Sequence, residues 1–274
     1  MTVIAEALNG FFDVLTAPFG GSAAWAVLVM SALVGVLMLL LYKWSTDQEA
    51  IVAARRVLTG RIYEMGLYQD HLGVLMKIQR DLIVANLRYL RRSLPALAVI
   101  VLPMVLILVQ MEGRFGHRPL RPGETTLLEA TVAADRTDLL DTIALSADGG
   151  VTVETPPVRD YAAGTAVWRL RADTAGRHAV AVRFAGAPAV TKEIVVGGGL
   201  PRLAEVREHE SLGRVLLNPA EAPLPTGSPV ARIDVDMPSR RLDYAGIETD
   251  WLIALIVFSL ATGLAVKDLL RVRF

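Results

Sequence analysis

The chain has 274 residues, 28 basic and 28 acidic, and no cysteine. Zero net charge argues against nucleic-acid recognition, which needs a basic surplus, and the missing cysteines exclude disulfides, thiolate metal sites and thiol nucleophiles. Hydrophobic residues make up 53% and the mean hydropathy is +0.44, so packing or a bilayer must supply the stability.

Residues 1–19 predict an amphipathic helix lying on a membrane surface. Ile4, Leu8, Phe11, Phe12 and Leu15 fall at helical spacing on one face, with Glu6, Asn9, Asp13 and Thr16 on the other. No Lys or Arg precedes the first apolar run, so it lacks the basic start of a secretory signal. Pro18 and Gly20-Gly21 end the helix, and residues 22–42 predict a first transmembrane helix. At 1.5 Å per residue its most apolar part, Ala23 to Leu41, reaches about 30 Å, the thickness of a hydrocarbon core.

Residues 43–93 are proline-free and predict a helical hairpin. Thr46 with Glu49 reads as a capping box. Ile51, Ala54, Leu58 and Ile62 form one apolar stripe, and Leu72, Leu75, Met76, Leu82, Ile83 and Leu90 a second. Gln79 and Asn86 interrupt the second at heptad spacing, as polar positions do in a coiled coil. The segment carries Lys43, Arg55, Arg56, Arg61, Lys77, Arg80, Arg88, Arg91 and Arg92 against five acidic residues. By the positive-inside rule this places the hairpin and the tail, residues 268–274, in the cytoplasm, and the N-terminus outside.

Residues 94–111 predict a second span, with Pro95 tolerated at its start and Pro103 kinking it. Residues 112–247 change period. Thr125–Val132, Val151–Thr155, Ala166–Ala172, Arg177–Phe184, Val190–Val196 and Val230–Val235 are short, Val-rich and alternating, and Gly and Pro separate them. They predict an extracytoplasmic β-sandwich with Trp168 in its core. Residues 112–250 hold 16 basic and 20 acidic groups. Residues 248–267 predict a third span whose apolar part, Trp251 to Val266, is short. There Ser259 with Gly263, and Ala261 with Ala265, are small-residue pairs suited to close helix contact.

The expected fold class is thus an α-helical membrane protein with three transmembrane helices, a cytoplasmic hairpin and an inserted extracytoplasmic β-sandwich. The chemistry is sparse. His71, His117, His178 and His209 are too dispersed for an HExxH site, and no GxSxG, Walker or Rossmann pattern occurs. No enzymatic activity, metal or cofactor is expected. Polar residues in spans are the default functional candidates, and here they are Ser31, Gln110, Ser259 and Thr262.

This order of elements resembles the minimal plan of the YidC/Oxa insertase superfamily. The local sequence adds to the likeness. "YKWSTDQEA" (Tyr42–Ala50) and "KIQRDLIVANLRYLRRSLPALAVIVLPMVLI" (Lys77–Ile107), with Asn86, Pro95 and Pro103, look like stretches of the archaeal three-span members. "PLRPGE" (Pro119–Glu124) and Trp251 also fit. The likeness covers residues 1–124 and 245–274. It implies a groove, assigned to Ser31, Gln110, Ser259 and Thr262, through which nascent membrane segments enter a thinned bilayer. It also implies a nascent-chain or ribosome contact on Arg55, Arg56, Arg61, Lys77, Arg80, Arg88, Arg91 and Arg92. Two departures stand out: the inserted β domain, and the lack of an arginine within the spans. The rival expectation is a structural subunit, anchored in membrane lipids, whose β domain binds an envelope partner.

Overall fold

The computed structural model describes residues 2–46, 48–67, 72–209, 221–225 and 227–272. It divides into two compact units, Met1–Val27 with Leu106–Trp251, and Leu28–Val105 with Leu252–Phe274. The α-helices among the described residues are α1 (Thr2–Thr16), α2 (Ala23–Ser45), α3 (Gln48–Leu67), α4 (Leu72–Met111) and α5 (Trp251–Val266). Two helical segments are long and apolar enough to cross a membrane, Ala23–Ser45 and Leu97–Gly116. The third apolar helix, Trp251–Val266, has 16 residues.

The first unit holds the strands. A six-stranded antiparallel sheet runs β3 (Val151–Val153), β5 (Thr165–Ala172), β1 (Thr125–Val132), β9 (Val230–Val235), β8 (Val206–Glu208), with β4 (Val158–Asp160) also on β5. A second sheet runs β2 (Ala144–Ala147), β6 (Gly176–Phe184), β7 (Ala187–Val196). Alternation of side chains dictates what each buries. Along β1 every second residue points inward, and Leu128 stands in register with Trp168 on β5 and Val235 on β9. Val180, Val182 and Phe184 on β6 and Val190, Ile194 and Val196 on β7 join the same buried cluster, so both sheets share one core. Trp168 sits in that core, as its strand position predicts.

The six strands read from the sequence are present, two with identical bounds and four shifted by one to three residues at their ends. The short strands β2, β4, β8, β10 (Leu242–Tyr244) and β11 (Ile247–Thr249) are additional. At three or four residues each, they carry too little periodicity to show. β10 and β11 form a hairpin turned by Ala245 and Gly246, both at positive φ, the backbone of a two-residue primed turn. Where the chain enters and leaves the β region it is hydrogen-bonded to itself. Arg118 N donates to Pro238 O at 3.0 Å, and Arg240 N donates to Gly116 O at 2.9 Å.

In the second unit, α2 turns one face inward, with Met30, Ser31, Val34, Gly35 and Leu39 buried. On α5 the corresponding face carries Ala254, Leu255, Ser259, Thr262 and Gly263. The helices touch backbone to backbone at Gly35. A Cβ there would collide with the Ser259 carbonyl oxygen and lie 3.1 Å from Ser259 C and Cα. Lys43, in the last turn of α2, donates to Leu270 O at 2.8 Å, holding the stretch after α5.

Helices α3 and α4 are separate, with residues 68–71 between them lying outside the described residues. α4 runs unbroken from the charged segment into the apolar one and contains both Pro95 and Pro103. The capping box does not form. The Thr46 hydroxyl is buried without a partner, so it caps no helix.

Candidate functional site

The largest buried charge in the first unit is Arg114, only 1% exposed. The sequence ends the apolar run at Met111, which assigns Arg114 to the β region of residues 112–247. Instead the helical path continues as a π-turn over Glu112–Gly116, which keeps Arg114 on the helix, and the apolar segment includes it. A helix that does not stop at the first charge carries that charge with it.

Burying a guanidinium is costly unless its donors are satisfied. Arg114 Nη1 donates to Gln110 Oε1 at 2.8 Å and to Gln110 O at 3.0 Å. Nη2 donates to Asn9 O at 3.0 Å and to Asp13 Oδ1 at 2.6 Å. The guanidinium carbon lies 5.6 Å from the Phe12 ring centroid, a cation–π distance. Arg202 reaches the other Asp13 oxygen at 3.5 Å.

Among the described side chains of α1, Asn9, Phe12 and Thr16 are buried, while Phe11 and Val14 are 59% and 74% exposed. Asn9 and Thr16 of the polar side thus turn inward together with Phe12, and Asp13 reaches Arg114 from a half-exposed position. The apolar residues Phe11 and Val14 point away from it. The side chains of Ile4, Glu6 and Leu8 lie outside the described residues.

The four polar residues assigned to a groove go to different places. Gln110 is taken up by Arg114. Ser31 is fully buried on the inner face of α2. Ser259 donates to Ile256 O on its own helix at 3.2 Å, and Thr262 is half-buried on the face that also carries Ser259. Ser31, Ser259 and Thr262 thus lie on the packed faces of α2 and α5.

Among the basic residues, Lys77, Arg80, Arg88 and Arg91 are exposed and, at 100° per residue, share one side of α4. Arg56 is exposed on α3, and Arg80 lies 3.7 Å from Asp81. The side chains of Arg55, Arg61 and Arg92 lie outside the described residues.

Two polar clusters of the β region had no sequence signal, because their members are far apart in the chain. Lys192 on β7 is 1% exposed, donates to Ala204 O at 2.5 Å and pairs with Glu221. Burial pushes its pKa down, against the pull of Glu221. His117 lies 2.9 Å from Glu205, whose pKa burial pushes up. Among the described residues no group of three metal-ligating side chains comes together. Comparison with protein-family models, with curated proteins and with solved structures finds no match for this chain.

Proposed function

We propose that the chain is an inner-membrane protein of the YidC-like insertase type, with three spans, an N-terminus outside and a C-terminus in the cytoplasm. In this reading α2, the apolar end of α4 and α5 cross the bilayer, α3 and the charged part of α4 form the cytoplasmic hairpin, and the two sheets form an extracytoplasmic β-sandwich. The protein helps nascent membrane segments enter the bilayer.

The observation that carries the reading is the length of α5. Its 16 residues end at Val266, with Asp250 before them and Lys267 and Asp268 after. They reach about 24 Å, short of a hydrocarbon core of about 30 Å. Leu252, Ile253, Ile256, Val257, Leu260 and Leu264 are exposed around it, so the helix offers lipid an apolar surface too short for an unperturbed bilayer. A bilayer thinned beside α5 lowers the barrier for a polar segment to enter. The basic side of α4 supports the same reading, since it attracts acidic chains or ribosome surfaces by charge. No nucleotide or cofactor is required, because partitioning of the apolar segment drives insertion.

A second reading, an anchored subunit whose β domain binds an envelope partner, is favoured by one observation: the polar residues of the apolar helices are packed or paired. Photo-crosslinkers at the exposed positions Leu260 and Leu264 of α5 separate the two. The insertase reading expects adducts with a stalled nascent single-span chain. Adducts with lipid alone, together with capture of an envelope protein that depends on residues 125–240, would sink it.

A further inference from the structure

Among the described residues the β10–β11 hairpin pairs with neither of the two larger sheets. Its register sets Leu242 opposite Thr249, Asp243 opposite Glu248 and Tyr244 opposite Ile247. Alternation therefore puts Leu242, Tyr244 and Ile247 on one side and the two carboxylates on the other. Burial falls along the first side: Leu242 is 2% exposed, Tyr244 is half-buried and Ile247 is 70% exposed. The base of the hairpin packs on the protein and its tip overhangs. The overhang is held in place. The Tyr244 hydroxyl donates to Ala24 O, in the first turn of α2, at 2.9 Å, and Gly246 N donates to Asp243 Oδ1 across the turn at 2.7 Å.

We propose that this tip seats Ile247 in lipid, in the leaflet on the β region's side of the bilayer. The proposal rests on the membrane reading above. What covers Ile247 follows from where the hairpin is attached. Tyr244 fixes it to the first turn of a helix apolar enough to cross a membrane, and β11 leads through Asp250 alone into the apolar α5. Trp25, the residue after Ala24, and Trp44 are both largely exposed. They stand 19 residues apart on α2. That is about 28 Å of helix, so the two tryptophans bracket a hydrocarbon core as interfacial tryptophans do. The membrane boundary thus falls at the first turn of α2, the level at which Tyr244 holds the hairpin. The two sides of the hairpin suit that boundary, with Ile247 turned to lipid and Asp243 and Glu248 left in water. A protein partner fits less well. One isoleucine beside two facing carboxylates offers far less than the roughly 1,200 Å² of a stable protein interface, whereas a leaflet needs only an apolar side chain at the right depth.

The chain has no cysteine, so a nitroxide can be attached at single sites. Ile247→Cys, Glu248→Cys, Arg183→Cys on exposed β6 and Leu260→Cys on α5 are labelled in the full-length chain and reconstituted in phosphatidylcholine vesicles. Electron paramagnetic resonance then compares collisions with oxygen, which concentrates in lipid, and with a nickel chelate, which stays in water. The oxygen-to-nickel ratio at Ile247→Cys should exceed those at Glu248→Cys and Arg183→Cys by about threefold or more, and lie below that at the deeper Leu260→Cys. Tyr244→Phe lacks only the hydroxyl, and should lower the Ile247→Cys ratio by about twofold or more. A lipid-like Leu260→Cys with a water-like Ile247→Cys overturns the seat and leaves the membrane reading intact. A water-like Leu260→Cys overturns the membrane reading itself. An Ile247→Cys label shielded from both reagents overturns lipid as the occupant, since protein then covers the tip. A ratio unmoved by Tyr244→Phe overturns the hydroxyl as what holds the tip at the boundary.

Discussion

Gly35 permits a direct test of how α2 and α5 are held. A methyl group added there would strike the Ser259 carbonyl oxygen and come within 3.1 Å of two further Ser259 backbone atoms. Backbone cannot swing aside as a long side chain can, so Gly35→Ala must push the helices apart or shift one along the other. Overpacking of this kind costs about 1–3 kcal/mol. Alanine returns up to about 1 kcal/mol in helix propensity over glycine, so at the middle of that range, about 2 kcal/mol, the net loss is about 1 kcal/mol. Gly263 is the internal control. A methyl there meets only Gly35 O, at 3.9 Å, an ordinary contact. Gly263→Ala therefore keeps the propensity gain without the clash, and should be neutral or slightly stabilising. The two variants should differ by about 2 kcal/mol, or about 30-fold in the unfolding equilibrium. Unfolding in mixed micelles of rising SDS fraction reads this difference. If Gly35→Ala is as stable as the parent, or Gly263→Ala is equally damaging, the close approach at Gly35 is not what joins these helices.

Other parts of the structure yield further expectations. Arg114→Met removes the donor to Asn9 O, Gln110 Oε1 and Asp13 together, and should cost about 2–4 kcal/mol. Asp13→Asn should cost only about 0.5–1 kcal/mol, because Asp13 is half exposed. Equal thermal shifts in the two variants would show that the backbone and amide bonds of Arg114 contribute nothing. Lys192→Met leaves Glu221 with only Arg207 at 3.8 Å and the Glu193 N–H at 3.3 Å and should destabilise the β region by about 2–4 kcal/mol, whereas Lys192→Met with Glu221→Leu should recover most of it. A double variant as unstable as the sum of the singles would refute the pairing. The Glu124 carboxylate accepts from Arg118 at 2.8 and 2.9 Å and from Arg121 N at 2.9 Å, which lowers its pKa to about 2 from an ordinary 4.5. A carboxylate depressed in the fold stabilises above its unfolded pKa and loses that contribution as the pH falls from about 4.5 through about 2. Glu124→Gln should therefore be less stable at neutral pH and show a flatter decline over that interval, as followed by acid unfolding. Finally, a cysteine at Thr59 should be shielded from an impermeant thiol reagent in intact cells and one at Arg183 should react; the reverse pattern would overturn the charge-based orientation.

Most of the architecture was readable because it rests on short-range periodicity. A strand such as Thr125–Val132 declares itself by alternation, and its burial follows that alternation residue by residue. A helix such as Ala23–Ser45 declares itself by length and the absence of charge before Lys43. The registers that join strands could not be read, since Leu128 meets Trp168 and Val235 through pairings between segments 40 and 107 residues away in the chain. The Lys192 and Glu221 pair was hidden for the same reason. The residues assigned to a groove are a different case. Ser31, Ser259 and Thr262 were chosen for polarity, but small hydroxyl residues also allow helices to approach closely, and sequence alone does not separate the two uses. At Ser259 the structure shows such a close approach, because the missing side chain of Gly35 is where its backbone comes to rest.

The N-terminal helix shows how one buried charge overrides an amphipathic pattern. Its sequence presents an apolar side and a polar side, and in a soluble protein the apolar side would turn inward. The outcome depends on the partner surface. Arg114, kept on the helical path by the π-turn at Glu112–Gly116, offers α1 a guanidinium that Asn9 O and Asp13 satisfy. Leaving that charge buried without acceptors would cost more than exposing Phe11 and Val14, and in the membrane reading those two meet lipid rather than water. The packing of α1 and the burial of the arginine are therefore one event. Replacing Arg114 should release α1 from the π-turn even where the apolar face of α1 is untouched. The chemistry that ties the start of the chain to the entrance of the β region is polar, although it sits at the end of one of the most apolar helices in the molecule.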